Sequence, residues 1–234
     1  MARMVILTGA GISAESGLPT FRDPNGIWAR FDPMDLATPE AFARDPARVQ
    51  AFYNDRRAAA RAAQPNPAHL ALAQLQCARP GEVLLVTQNV DDLHERAGST
   101  DALHVHGRLD EARCDSCAHR WPAPAQMAAG DRCPACAAGF ARPAVVWFGE
   151  VPEHLDEVAE ACARCGLFVV IGSSGTVWPV AGLVDIAARA GAQTIEINLD
   201  PSVRAGAFDR VLAGPASVRV PEWVAQVLDG PFNL

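Results

Sequence analysis

Short apolar runs, each ended by glycine or by polar residues, are the clearest pattern along the chain. Runs of this length are typical of strands that are buried on both faces of a parallel sheet. They lie at 4–7, 83–86, 167–171 and 194–197. Between and after them, the apolar spacing predicts helices within 39–63, 65–78, 155–166, 180–190 and 221–228. Because strand, loop and helix alternate, the pattern predicts an α/β protein with a doubly wound parallel sheet.

The first apolar run leads directly into a glycine-rich turn. From Gly9 the sequence reads Gly-x-Gly-x-x-Ala, which is typical of loops that bind the pyrophosphate of a dinucleotide. Gly9 allows a tight turn, Gly11 lets the backbone approach a phosphate, and the small Ala14 lets the next segment pack on the strand. A turn of this kind also occurs without a ligand, so both interpretations stay open here. Pro19 and Pro24 end any helix early and predict a loop that could close over a ligand.

Polar residues follow the carboxyl ends of the other three predicted strands, where open α/β sheets bind their ligands. Asparagine and aspartate also cap helices or form turns, so a purely structural role is the alternative. A glycine- and serine-rich turn suits phosphate and ribose. The three segments are Gln88-Asn89-Val90-Asp91, Gly172-Ser173-Ser174 and Asn198-Leu199-Asp200.

Two histidines, His104 and His106, alternate just beyond the second predicted strand. Side chains that alternate along an extended chain share one face, so the pair could bind a metal. A catalytic base is an equally good interpretation, because histidine titrates near neutral pH.

Four cysteines form two Cys-x-x-Cys pairs with fifteen residues between the pairs: Cys114, Cys117, Cys133 and Cys136. This spacing predicts one tetrahedral zinc ion. Four thiolates leave no open position for water, so the zinc is structural and supplies folding energy to a segment with little core. A zinc ribbon could also bind nucleic acid, but few basic residues surround this one.

A tyrosine and an arginine, Tyr53 and Arg56, lie three positions apart in a predicted helix and therefore share a face. Together they can bind a carboxylate, the arginine bidentately. The alternative is an ordinary helix with a half-buried tyrosine and a surface arginine. Trp147, Phe148 and Gly149 likewise indicate either an exposed apolar groove or core packing.

Composition restricts the class of protein further. The chain has 234 residues, half of them hydrophobic, which fits one large domain or a domain with a small insert. The net charge of −7 argues against binding to nucleic acid or an anionic membrane. No apolar run approaches the roughly 20 residues of a membrane span, and the first strand leaves no room for a signal peptide. We therefore expect a soluble cytoplasmic protein with reduced cysteines.

The stretch Gly9-Ala10-Gly11-Ile12-Ser13, followed by 16–22, resembles the signature of the sirtuins, the NAD-dependent protein-lysine deacylases. Further matches follow in order to Ser217, and Ser173 replaces the usual threonine of one of them. Tyr53 and Arg56, with the small Ala37, are similar to the bacterial, desuccinylase-type class III members. The resemblance implies NAD as co-substrate, a structural zinc, acyl-lysine proteins as substrates and a monomer.

The resemblance also implies roles for individual residues. His106 is the general base, whereas Gln88, Asn89 and Asp91 hold the nicotinamide and its ribose. The implied NAD-binding residues are Gly9, Ala10, Gly11, Ala14, Glu15, Thr20, Phe21, Arg22, Trp28, Gln88, Asn89, Val90, Asp91, His106, Gly172, Ser173, Ser174, Asn198, Leu199, Asp200 and Ala216. The implied substrate-binding residues are Ala37, Tyr53, Arg56, Val146, Trp147, Phe148, Gly149, Glu150 and Val177.

The implied chemistry transfers the acyl group of a lysine to ADP-ribose and releases nicotinamide. Acetyl, succinyl and malonyl are the implied acyl groups. The alternatives are an NAD-dependent protein ADP-ribosyltransferase and a non-catalytic binding module, either NAD-sensing or of the zinc-ribbon type. The implied Rossmann-like domain is discontinuous, at 1–30, 64–110 and 141–234. A helical insert at 31–63 and a zinc ribbon at 111–140 form the small domain.

Overall fold

The computed structural model describes residues 3–21 and 26–230. Among them, nine strands form two sheets. The strands are β1 Met4–Thr8, β2 Val83–Thr87, β3 Leu103–His104, β4 Gly107–Cys114, β5 Arg120–Pro122, β6 Ala141–Val145, β7 Leu167–Ile171, β8 Gln193–Asn198 and β9 Arg210–Ala213. The helices are α1 Gly11–Ala14, α2 Ile27–Arg30, α3 Pro39–Arg44, α4 Pro46–Ala62, α5 Pro67–Ala78, α6 Leu93–Arg96, α7 Leu155–Cys162, α8 Leu183–Arg189 and α9 Ala216–Asp229.

The larger sheet has six parallel strands in the order β3-β2-β1-β7-β8-β9. Alternate residues of each strand enter two separate cores. Met4 and Ile6 pack with α5 and α9, whereas Val5 and Leu7 pack with α7 and α8. Helices therefore cover both faces, and the predicted doubly wound α/β fold is confirmed.

The edge strand β9 was not predicted from the apolar pattern. Its residues are mostly exposed, because it pairs with β8 on one side only. An edge strand of this kind lacks the continuous apolar run that marks a central strand.

Three helices begin with the same local signature, a polar capping residue followed by proline. Thr38, Asp45 and Asn66 each accept a hydrogen bond from a backbone N–H of the first turn. The proline then stands at the position where its missing N–H costs nothing. This signature sets the starts of α3, α4 and α5.

The smaller sheet is antiparallel, in the order β5-β4-β6. Helices α3 and α4 pack on it through an apolar core that includes Phe42, Tyr53, Leu109, Val145 and Trp147. This core lies beside the carboxyl edge of the parallel sheet, because β4 follows β3 directly. No helix among the described residues is long and apolar enough to cross a membrane.

The opposite side of α4 is hydrogen-bonded to residues 114–141, the cysteine-rich segment, which contains all four predicted zinc ligands. Asn54 donates to the Met127 carbonyl and accepts from the Met127 N–H, both at 2.9 Å. Gln50 donates to the Ala141 carbonyl at 2.8 Å. Helix α4 is therefore fixed between the apolar core that it shares with the antiparallel sheet and the cysteine-rich segment.

Candidate active site

The loops after β1 and β7 meet where the order of the parallel sheet reverses. A Cβ on Gly9 would lie 2.8 Å from the Gly172 carbonyl oxygen, and one on Gly11 would lie 2.7 Å from the Gly172 Cα. Gly172 itself has a φ of +63°. Glycine is therefore required at all three positions, because the two loop backbones touch. Such a crevice is the ligand site of open α/β sheets.

The segment after the first loop differs from one expectation and agrees with another. Ala14 is exposed, so the expectation that it packs on the strand is wrong. Helix α1 is only four residues long, as the prolines predict. Glu15 accepts hydrogen bonds from the N–H and hydroxyl of Ser217, at 2.9 and 2.6 Å, and so ties α9 to the loop.

The predicted loop over the ligand is described only in part. The Thr20 carbonyl accepts from the Ile27 N–H at 2.8 Å, which brings the two ends of the loop together. Arg22 lies outside the described residues, as does the side chain of Trp28. Phe21 lies under the guanidinium of Arg56, at 4.8 Å from its ring centre.

Asn89 and Asp91 meet at a single buried serine, Ser13. Asn89 Nδ2 donates to Ser13 Oγ at 3.1 Å, and Ser13 Oγ donates to Asp91 Oδ2 at 3.2 Å. Burial raises the pKa of Asp91, against opposing hydrogen bonds from Leu93 and Ser13. The two predicted residues are thus fixed side by side at the sheet edge.

His69 completes this cluster from α5. Its Nδ1 accepts from the Asn66 N–H at 3.3 Å, so the ring proton is on Nε2, which lies 3.4 Å from Ser13 Oγ. Burial lowers the pKa of His69 to about 4, which keeps it neutral. Ser13 was not among the residues predicted for the site, although a serine inside the glycine turn is a signal that could have indicated its role.

His106 is presented as a neutral base. Its Nδ1 lies 3.1 Å from the Gln88 carbonyl oxygen, which can only accept a hydrogen bond. The ring proton is therefore on Nδ1, and Nε2 keeps its lone pair. Burial lowers the pKa of His106, and the hydrogen bond to Gln88 opposes that shift only in part.

We expect the acid limb of the pH profile to lie below the usual histidine range. If His106 is the general base that the sequence resemblance implies, kcat/KM falls as the pH drops through its pKa, because a base acts only when unprotonated. That pKa is lowered from 6.5, so activity persists at a pH where an ordinary histidine is charged. Initial rates of nicotinamide release between about pH 5 and 8 measure this limb. A limb above 6.5 would contradict the geometry.

A cavity of about 320 Å³ extends from Ser13, Asn89 and Asp91 to Arg56. Its far wall is largely aromatic and includes Phe21, Phe31 and Phe52. A long apolar cavity that starts at a polar cluster fits an alkyl chain joined to a reacting polar group.

Arg56 is half-buried at this cavity and forms no ion pair with a carboxylate of residues 3–21 or 26–230. Burial lowers its pKa, and Tyr53 and Asp91 oppose that shift. Tyr53 is fully buried beside it, and its hydroxyl accepts from Trp147 Nε1 at 2.9 Å. Burial raises the pKa of Tyr53. The structure thus places the guanidinium on the cavity wall and Tyr53 next to it in the core.

The predicted substrate segment divides between core and surface. Trp147 is 2% exposed and packs on Phe42 and the Arg142 guanidinium, so the exposed-groove interpretation is wrong for this residue. Phe148 and Gly149 are exposed, and the Phe148 N–H donates to the carbonyl of the buried Ala37 at 2.9 Å.

The neighbours of this segment are held by further hydrogen bonds. Glu150 forms a two-point ion pair with Arg142, at 2.7 and 2.9 Å. The N–H of the half-buried Val146 donates to the His106 carbonyl at 2.9 Å. Val177, on the facing loop, is also half-buried.

The loops after β2, β7 and β8 are joined at the other end of the crevice. Ser173 Oγ donates to Gln88 Oε1 at 2.8 Å, and Asn198 Nδ2 donates to the Ser173 carbonyl at 2.9 Å. Leu199 and Asp200 are exposed beyond Asn198. The predicted polar strand ends therefore form one continuous edge. Ser174, Val90 and Ala216 lie along the same loops and helix start, the first exposed and the other two buried.

The four predicted cysteines come together, with their Sγ atoms within 4.8 Å of one another. Cys114 and Cys136 are 3.7 Å apart, as are Cys117 and Cys133. Zn–S bonds of about 2.3 Å in a tetrahedron require sulfur atoms about 3.8 Å apart. Backbone N–H groups also donate to three of the sulfurs. The donor set fits one structural zinc ion.

The fold and the site together define a class of protein. It is a doubly wound α/β protein with a ligand crevice between β1 and β7, where the strand order reverses, and with a four-cysteine module. Residues 9–179 match the Sir2 family. The chain belongs to this family, the sirtuins. Two NAD-dependent protein deacylases, of Caulobacter vibrioides and Bdellovibrio bacteriovorus, are 50% identical over 230 residues and 51% identical over 229, each covering 97% of both chains. A solved Sir2 homolog–NAD complex is 42% identical, with a TM-score of 0.88 over 96% of this chain and 88% of its own.

Proposed function

We propose that this protein is an NAD-dependent protein deacylase that removes acidic acyl groups, succinyl and malonyl, as well as acetyl from lysine. The deacylase activity follows from membership in the family and from relatives of that name at about half identity over nearly the whole chain. Its substrates are acyl-lysine proteins. The preference for acidic acyl groups is supported by Arg56 in the apolar cavity.

In this proposal, NAD lies along the crevice at the sheet edge. The backbone of Gly9 and Gly11 faces the phosphates, and Asn198 faces the adenosine ribose. Asn89 and Asp91 bind the nicotinamide half, held in place by Ser13. NAD supplies the ribose carbon that accepts the acyl oxygen as nicotinamide leaves. His106 takes a proton from a ribose hydroxyl at Nε2, the atom that its Nδ1 hydrogen bond leaves free.

The cavity accounts for the proposed acyl groups. An acyl chain with a terminal carboxylate buries a charge, which is costly unless it is paired. Arg56 offers to this cavity a guanidinium that forms no ion pair with a carboxylate among the described residues. Guanidinium and carboxylate can form two parallel hydrogen bonds. Tyr53 lies beside Arg56 in the core, where its hydroxyl accepts from Trp147 Nε1, and it supports the wall from which Arg56 reaches the cavity.

We expect Arg56→Met to lower kcat/KM for a succinyl-lysine peptide roughly ten- to hundredfold, the usual effect of losing a charge-assisted hydrogen bond. Acetyl-lysine has no carboxylate, so its turnover changes little. Paired assays on peptides that differ only in the acyl group measure this ratio. All 20 basic residues of the chain are arginine, so acyl-lysine in the assay comes only from the peptide.

Arg48→Met is the matched control, because Arg48 is an exposed arginine of the same helix, 3.8 Å from Asp35. It should leave both substrates unchanged. An equal loss for acetyl- and succinyl-lysine in Arg56→Met would end the proposal for acidic groups and leave the deacylase assignment intact.

The proposal includes the domain division given above and a monomeric, cytoplasmic protein. The division is supported by the separate core that α3 and α4 share with the antiparallel sheet. The cellular location is supported by the cysteine chemistry, because all seven cysteines are free thiols and four of them cluster as metal ligands.

A further inference from the structure

His104 lies on β3, two residues before His106, and both of its ring nitrogens face acceptors. Nδ1 lies 2.9 Å from the Asn89 carbonyl oxygen, and Nε2 lies 2.7 Å from Glu95 Oε1. A carbonyl oxygen has no proton to donate, and neither has an ionised carboxylate. Burial raises the pKa of Glu95, but His104 and Arg108 outweigh that effect and hold it at about 2. Both ring nitrogens of His104 are therefore engaged, Nδ1 by the loop after β2 and Nε2 by α6.

His104 is buried among charged groups. Its side chain is 4% exposed. Arg108 pairs with Asp110 through two hydrogen bonds of 2.9 Å and also contacts Glu95. The titratable and charged groups around the ring are Glu95 and His94 of α6, Asp91 of the loop after β2, and Arg108 and Asp110 of β4.

The two alternating histidines hold two successive carbonyls of the loop after β2. His106 binds the Gln88 carbonyl, and His104 binds that of Asn89. No other donor among residues 3–21 and 26–230 reaches the Asn89 carbonyl. The side chains of Asn89 and Asp91 extend from this same loop toward Ser13. The orientation of that loop therefore depends on the Nδ1 proton of His104.

We propose that His104 is a positioning residue for NAD cleavage: held by Glu95 at Nε2, it donates from Nδ1 to the Asn89 carbonyl and thereby fixes the side chains that meet the nicotinamide half of NAD. The inference rests on the proposed roles of Asn89 and Asp91.

Two substitutions separate this role from a structural one. The amide nitrogen of asparagine comes close to the position of histidine Nδ1, and that of glutamine to Nε2. His104→Asn keeps the donor to the Asn89 carbonyl, whereas His104→Gln keeps only the bond to Glu95. We expect His104→Gln to lower kcat/KM for NAD about tenfold or more and His104→Asn to stay within about threefold. KM for the peptide should stay unchanged in both.

His154→Asn is the control, since His154 pairs with Glu157 on the surface at 3.2 Å and the left-handed backbone there suits asparagine.

The outcomes are decisive in each direction. If His104→Asn is as impaired as His104→Gln, His104 has only a structural role. If His104→Gln does not fold, His104→Asn decides, and a loss of about tenfold or more in its kcat/KM for NAD overturns the proposal. A wild-type protein that consumes no NAD with an acyl peptide would refute the proposed function instead.

Discussion

The variant His106→Ala should lose deacylation while it keeps most of its affinity for NAD. A positioned general base contributes about 10²- to 10⁴-fold to a rate. His69 and His104 cannot replace it, because both ring nitrogens of each are hydrogen-bonded. His69 is occupied by Asn66 and Ser13, and His104 by Asn89 and Glu95. NAD contacts the glycine loops and Ser173 in this proposal, so those contacts survive. Calorimetric titration with NAD, together with product analysis of an acyl peptide, separates binding from chemistry.

Two outcomes would count against the assignment of His106. Turnover near that of the wild type would show that another group takes the ribose proton. Loss of NAD binding would show that the ring is needed to hold the Gln88 loop, to which it donates at 3.1 Å. His119→Ala, a histidine that stacks on Trp121 in the cysteine-rich segment, should be neutral for both readouts.

The variant Cys133→Ala should lose its zinc and the fold of the segment around it. Structural zinc supplies about 10–16 kcal/mol to the folding of a small module, more than the whole stability of most domains. The apolar core of this segment is small, with Ala112, Ala123, Met127 and Ala141 as its buried members. Metal analysis should give about one zinc per wild-type chain and far less in the variant. Activity is lost with the fold, because a closed thiolate shell does no chemistry.

Cys77→Ala is the control for that experiment, because Cys77 is an exposed free thiol outside the cluster. It should keep zinc, thermal unfolding and activity at wild-type values. A Cys133→Ala protein that stays folded, metal-loaded and active would rule out the four-cysteine zinc site.

Central elements were predictable from the sequence, because their physical demands are local. Strands β1 and β7 are buried along their whole length, so every position is apolar. The cysteine spacing fixes the metal site in the same way, since few other functions need that pattern. The polar residues at Asn89 and Asp91 were located because the carboxyl edge of a parallel sheet collects ligand residues.

Other features depend on contacts that no local pattern encodes. The burial of Trp147 depends on Phe42 and Arg142, which come from distant segments. The hydrogen bonds of His104 depend on Glu95 and on a backbone carbonyl, and only the fold brings these together. Strand β9 exists because β8 offers a free edge, and its own residues are mostly exposed. In each case a contact partner from a distant segment, rather than the residue itself, determines the burial, the hydrogen bonds or the strand pairing.

The position of α4 joins two properties that are usually measured separately. Gln50 and Asn54 anchor the helix to the cysteine-rich segment, and Arg56 of the same helix lines the cavity. Under the proposed function, a loss of zinc that displaces the helix also displaces Arg56. We therefore expect the ratio of succinyl-lysine to acetyl-lysine turnover to vary with the zinc occupancy of the preparation.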